Sequence, residues 1–295
     1  MVLLVVAATA VAAIVAALCW HLAGAVPSTV GTAREVGAAL RRRSVHGATL
    51  AARLDPAAAT GLALTVALVV IVVGGVVLGT LAYLVRADPD LLRVDNSVAH
   101  WGHGHATPGS TDLLDAVTNL GEPMVVAALA AVLALVETVR TRSRWVVPFL
   151  LVVVAGNGIL TTTTKNLADR VRPELNPIAE TLGPSFPSGH SSWSAAFFAA
   201  AALLLGRGRG RGARAAIAGV AAGLALTVAG SRVLLGVHWL SDVIAGLALG
   251  SAWFAICAVA FGGRLLRFGA AASEASRVAE GRGVGAARSP AGTRA

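Results

Sequence analysis

Lysine is almost missing from this chain of 295 residues: Lys165 is the only one, and arginine supplies nearly all of its 24 basic side chains. Charge of either sign is scarce. Only 13% of residues are charged, about half of what a soluble domain carries. Mean hydropathy is +0.75, which excludes an ordinary soluble protein. The two cysteines, Cys19 and Cys257, stand alone in apolar runs. No thiolate cluster, redox pair or disulfide scaffold fits that spacing, and both read as small core residues. Strict apolar/polar alternation is also missing, which argues against a membrane β-barrel.

Long unbroken apolar runs are present instead. A helix needs about 20 mostly apolar residues to cross roughly 30 Å of hydrocarbon, and seven stretches meet or approach that length. They are Met1–Trp20, Thr60–Val85, Pro123–Val139, Trp145–Thr164, Ser191–Leu205, Ala213–Ala229 and Val237–Phe261. The expected class is all-α, a polytopic membrane protein. Residues 1–59 read as one transmembrane helix followed by a basic linker, and 60–262 as a six-span core. Residues 263–295 read as a basic tail, rich in Gly, Ala, Arg and Ser and expected to be disordered. The first span lacks the positive flank of a secretory leader, so it is expected to stay uncleaved despite Ala23-Gly24-Ala25. There is no internal repeat.

The basic residues fall unevenly. Residues 27–59, 140–145, 206–214 and the tail hold 18 arginines; the opposite loops hold the other 6 cations, Arg86, Arg93, Lys165, Arg170, Arg172 and Arg232. Cytoplasmic loops collect Lys and Arg, so the 18-residue side is expected inside the cell membrane. The net charge of +9 then reflects topology and contact with the bilayer. Nucleic acid is not an expected partner, and the Arg207–Arg214 hairpin reads as a topology anchor.

Three short polar clusters interrupt the apolar runs, all on the outer side. The first is Lys165 with Arg172-Pro173. The second is Pro187-Ser188-Gly189-His190. The third is Ser231-Arg232, with Gly236, His238 and Asp242 behind it. A charge in a membrane helix costs about 3 kcal/mol on an insertion scale, so such residues signal a site. Lys165, Arg172 and Arg232 suit the oxygens of a phosphate. Ser188 and Gly189 precede an apolar helix, whose first N–H groups can face an anion. His238 and Asp242, four apart, share one helix face. The carboxylate can fix the imidazole tautomer and leave the other nitrogen free to attack phosphorus. His190, which has no carboxylate partner in sequence, is left as the acid. Taken singly, each residue also reads as a helix-end histidine, a dipole partner or an interface anchor. Their common face and order favour a single site.

Together, Lys165-x6-Arg172-Pro173, Pro187-Ser188-Gly189-His190 and Ser231-Arg232-x3-Gly236-x-His238-x3-Asp242 resemble the three signature motifs of the type-2 phosphatidic acid phosphatase superfamily. That superfamily also includes the vanadium-dependent haloperoxidases. The resemblance covers about residues 60–262 and implies a six-helix phosphatase core, to which the first span is an addition. It implies a phosphohistidine on His238, oriented by Asp242, with His190 protonating the leaving group and later activating water. Lys165, Arg172, Ser188, Gly189 and Arg232 would hold the phosphate. It further implies that no metal or cofactor is needed and that the site faces outward. The implied substrates are lipid phosphates of the phosphatidic acid, phosphatidylglycerophosphate or undecaprenyl diphosphate class.

Alternatives are a lipid phosphotransferase, a haloperoxidase, or a non-catalytic anion-binding or transport protein. The complete first motif disfavours the transferase, and seven apolar spans disfavour the haloperoxidase. A dead site should have lost His190, His238 or Asp242. His100, His103 and His105 form a His-rich outer loop that reads as wet surface, not as a metal site. Asp95, Trp101, Asn119 and Glu122 lie in the same outer region as candidates for headgroup contact. Glu174 and Glu180 could tune headgroup choice. Asp169 and Arg170 read as solvated or mutually paired.

Overall fold

The computed structural model describes residues 2–25, 59–105, 107–173, 175 and 183–265. Two compact units divide the chain: Met1–Ala25 with Val66–Phe261, and Val26–Thr65 with Gly262–Ala295. The expected linker, most of the tail, Glu174 and Glu180 lie outside the described residues.

No strand occurs among the described residues. The helices are α1 (Val2–Ala25), α2 (Ala59–Ala87), α3 (Pro89–Gly104), α4 (Pro108–Thr118), a 3-10 turn (Asn119–Gly121), α5 (Pro123–Thr141), α6 (Val146–Ala168), α7 (Gly189–Gly206), α8 (Arg211–Leu234) and α9 (Leu240–Leu265). Six of them are long and apolar enough to cross a membrane: α1, α2, α5, α6, α8 and α9. The seventh expected span, α7, falls short because its first turns are His190, Ser191, Ser192, Trp193 and Ser194. It is nonetheless deeply buried, with Ala200 and Leu204 fully enclosed. Interior position, not apolarity, lets this helix carry polar residues.

Helix contact depends on small residues. A Cβ on Gly246 of α9 would lie 2.4 Å from the Ser188 carbonyl oxygen, and one on Gly250 would lie 2.2 Å from that of Ser192. The Gly246-x-x-x-Gly250 pair therefore lets α9 meet the backbone of α7. Likewise Gly219 and Gly223 of α8 face Ala12 and Ala8 of α1, and Gly230 faces Leu4. The two helices run antiparallel, so the Val2 end of α1 lies beside the Arg232 end of α8.

Residues 86–122, read from sequence as an outer loop, fold into α3, α4 and the 3-10 turn. Each helix starts on a capped proline. Asp88 accepts from the Asp90 N–H before Pro89, and Thr107 and Ser110 form a reciprocal capping box around Pro108. Glu122 accepts from the Val125 N–H at 2.9 Å and caps α5.

Candidate active site

All three clusters lie at one end of the bundle. Lys165 ends α6, His190 opens α7, Arg232 ends α8 and Asp242 opens α9. Backbone bonds tie these ends together. The Ser188 N–H donates to the Asp242 carbonyl at 2.9 Å, and the His238 N–H donates to the Arg232 carbonyl at 3.2 Å. A Cβ on Gly189 would lie 4.0 Å from Lys165 Cε. Residues up to 77 positions apart in the chain thus converge, and His190 lies within electrostatic reach of Arg232, His238, Arg172 and Lys165.

The cations are placed by the segment before the Ser-Gly turn. Arg172 donates from Nε to the Gly183 carbonyl at 2.7 Å, from Nη1 to Val237 at 2.7 Å and from Nη2 to Pro184 at 3.2 Å. Lys165 Nζ donates to the Pro184 carbonyl. Arg232 donates from Nη1 to Thr118 Oγ1 at 3.0 Å, and its buried Nε has no hydrogen-bond partner. A buried donor left unpaired is costly, and an anion at this place would satisfy it. Burial presses the Arg172 pKa down from its usual value, with the Asp242 carboxylate opposing the shift.

His238 is 2% exposed and Asp242 fully enclosed. The imidazole Nδ1 lies 3.4 Å from Asp242 Oδ2, at the long edge of hydrogen-bonding distance. Asp242 Oδ2 also accepts from the Trp239 N–H at 3.0 Å. The other imidazole nitrogen, Nε2, faces Arg172 Nη1 at 3.0 Å. One ring edge therefore meets the carboxylate, and the other meets the cation that would hold a phosphate oxygen. Burial first, and then the charges of Arg172, Arg232 and Lys165, hold the His238 pKa well below the usual imidazole value. This environment favours the neutral ring.

One expectation is corrected. The Ser188 N–H does not point to an anion, because it is committed to the Asp242 carbonyl. Its hydroxyl accepts from Ser191 Oγ at 2.9 Å. Gly189 and His190 supply the first N–H groups of α7, which lack intrahelical partners. A polar seam continues inward from the site: Thr161 Oγ1 donates to Ser192 Oγ at 3.3 Å, which donates to Asn157 Oδ1 at 2.8 Å.

Two residues were misread from sequence. Asp169 ends α6 in a left-handed conformation, φ 45°, but Arg170 does not pair with it. Arg170 turns inward and binds Asp242 Oδ1 at 2.6 Å and Asp95 Oδ2 at 2.7 Å. Asp95 is 1% exposed and so cannot line a headgroup pocket. The pairing of Arg170 with Asp95 across 75 positions was not readable. In the histidine loop, His105 Nδ1 lies 2.8 Å from the Trp101 carbonyl, and the two rings stack at 4.8 Å. Among the described residues, no group of three or more His, Cys, Asp or Glu is placed to hold a metal ion.

Fold and site together define an α-helical membrane protein with three cations and two histidines gathered at one end of its helices. The sequence profile of the PAP2 superfamily matches residues 145–265. A lipid A 1-phosphatase of Rhizobium johnstonii is 37% identical over 137 residues, 41% of this chain and 52% of that protein. The chain thus spans about half the length of that relative. A decaprenylphosphoryl-5-phosphoribose phosphatase of Mycobacterium tuberculosis is 33% identical over 172 residues, 53% of this chain and 84% of that one. The crystal structure of a transmembrane PAP2-type phosphatidylglycerolphosphate phosphatase from Bacillus subtilis superposes with a TM-score of 0.58 at 25% identity, covering 63% of this chain and 93% of that one. The chain belongs to the PAP2 superfamily.

Proposed function

We propose that the protein is an integral-membrane lipid phosphate phosphatase that hydrolyses a lipid phosphomonoester or diphosphate through a phosphohistidine on His238. The observation that carries this reading is the split environment of the His238 ring, with carboxylate on Nδ1 and cation on Nε2. Nε2 attacks phosphorus, and the bond from phosphorus to the lipid oxygen breaks. His190 gives its proton to that oxygen. The doubly negative phosphate offsets the surrounding cations, which favours the protonated His190 needed for this step. Water then attacks the phosphohistidine, His190 takes its proton, and inorganic phosphate leaves. Lys165, Arg172, Arg232 and the Gly189 backbone hold the phosphate oxygens, and Ser188 supports the turn.

Because side chains supply the positive charge, the reaction is expected to need no metal. The relatives' named substrates all carry phosphate on a lipid, which supports the lipid class without choosing within it. Among the described residues, the arginines of 140–145 and 206–214 lie at the opposite end of the helices from the site, which supports an extracytoplasmic site in the cell membrane. The division into residues 1–59, 60–262 and 263–295 belongs to the same proposal.

The test is phosphate release by purified protein in detergent from phosphatidic acid, phosphatidylglycerophosphate, undecaprenyl diphosphate and a lipid A 1-phosphate. Release that persists in chelator, is inhibited by vanadate and disappears in His238→Ala is expected. A strict divalent-metal requirement, or undiminished release by His238→Ala, contradicts the reading.

A further inference from the structure

Four cationic side chains stand around His238 and Asp242, and they do different things. Arg172 meets the imidazole Nε2 at 3.0 Å, and Lys165 and Arg232 lie within electrostatic reach of the ring. Arg170 lies behind the carboxylate and is engaged with carboxylates. Its Nη1 donates to Asp242 Oδ1 at 2.6 Å and to Ser241 Oγ at 2.7 Å, and its Nη2 donates to Asp95 Oδ2 at 2.7 Å. The guanidinium also stacks over the Trp239 ring at 5.5 Å. Asp95 in turn accepts from the Ser241 N–H at 3.0 Å and from its hydroxyl at 2.5 Å. Arg170 and Asp95 are 8% and 1% exposed.

The two oxygens of Asp242 are therefore divided. Oδ2 serves the His238 ring and the Trp239 N–H, and Oδ1 accepts from Arg170. A carboxylate held on both oxygens cannot rotate away from the imidazole. A guanidinium held by a second carboxylate cannot swing toward the phosphate. Asp95 comes from α3, which lies outside the residues matched by the family profile.

We propose that Asp95 and Arg170 are positioning residues, a brace running from α3 through Arg170 to Asp242 that fixes the orientation of the His238 nucleophile. Outer partners of this kind orient the groups that act directly. Neither residue touches the phosphate, so their loss should slow the chemical step without weakening anion binding. The inference rests on the proposed histidine chemistry.

The experiment measures kcat, KM and vanadate inhibition for Asp95→Asn, Arg170→Gln, Arg170→Lys and the double variant Asp95→Asn/Arg170→Gln, with melting in detergent as a folding check. Asp95→Asn is expected to lower kcat about tenfold and Arg170→Gln about a hundredfold, with KM and vanadate affinity within about threefold. Arg170→Lys should regain part of the loss. The double variant should be no slower than Arg170→Gln, because Asp95 acts through Arg170. Ser241→Ala, which removes only a hydroxyl of the same brace, carries the test if Asp95→Asn does not fold, and should also lower kcat at constant KM. A folded Asp95→Asn at the wild-type rate overturns the proposal. So do losses that multiply in the double variant, and so does vanadate affinity falling in step with kcat. Wild-type protein that releases no phosphate removes the hydrolase reading itself, whereas an active wild type with unaffected brace variants removes this inference alone.

Discussion

Asp242 fixes more of the chemistry than its size suggests. Replacing it with Asn keeps the shape but offers an amide in place of one oxygen. The imidazole is then free to take the wrong tautomer, and Arg170 loses an anionic partner. Phosphate release by Asp242→Asn should fall about 10²–10⁴-fold, with vanadate inhibition retained. Equal rates for the two proteins would remove the tautomer role. The pH dependence follows from His238. Its pKa lies well below 6.5, and only the neutral ring attacks. Protonation that would stop attack therefore begins well below pH 6.5 in the free enzyme, and kcat/KM should show no acid limb from this residue near 6.5. The check is a kcat/KM profile with substrates that differ in their own second phosphate ionisation. An acid limb at 6.5 that stays put across those substrates contradicts the assignment. At this scale residue type and spacing single out the eight candidate site residues in the sequence. Arg170 and Asp95 stayed hidden because a buried ion pair between distant segments has no local pattern.

Helices α7 and α9 carry His190 and Asp242, and they can approach because Gly246 and Gly250 have no side chains. The obstructing atoms are backbone carbonyls, which cannot step aside. Gly250→Ala should lower stability by about 1–3 kcal/mol and reduce activity, since it pushes α7 away from α9. Gly79→Ala in α2 is the control: a Cβ there meets nothing within 4 Å, and helix propensity favours alanine by up to about 1 kcal/mol. Thermal unfolding in detergent distinguishes the two. If both variants melt alike, the close helix contact does not carry stability. The spans were readable as elements because apolar length is a strong signal. Residues 86–122 were not read as helices, although Asp88-Pro89 and Thr107-Pro108 carry cap signals. Their short amphipathic runs lacked the apolar length used to find the spans. Helix α7 shows the converse: its polar first turns lower its apolarity although packing encloses it.

Across the whole molecule, the two ends differ in chemistry. The site occupies one end. At the other, buried Glu137 of α5 pairs with Arg140 at 3.0 Å and with Arg207, just past α7, at 3.0 Å. Arginines that sequence alone assigns to topology thus also join helix ends, and breaking such a buried pair costs about 3–5 kcal/mol. Sidedness can be checked in a variant with Cys19 and Cys257 replaced by serine. Val171→Cys, next to the site at a position 77% exposed, should react with an impermeant thiol reagent on intact cells, whereas Arg209→Cys should react only after the membrane is opened. The reverse pattern would put the site inside. The unequal spread of 18 and 6 cations is the sequence feature from which this sidedness is proposed; the lipid specificity has no such feature, because cavity shape depends on side chains that only folding brings together. The central claim is that the three clusters make one site with His238 as the nucleophile. Its most direct test is rapid acid-free quenching during turnover of a lipid substrate labelled in its phosphate. The account predicts an alkali-stable, acid-labile phosphoryl label on wild-type protein and none on His238→Ala. A label of equal size on His238→Ala, or none on a wild type that is turning over, would contradict it.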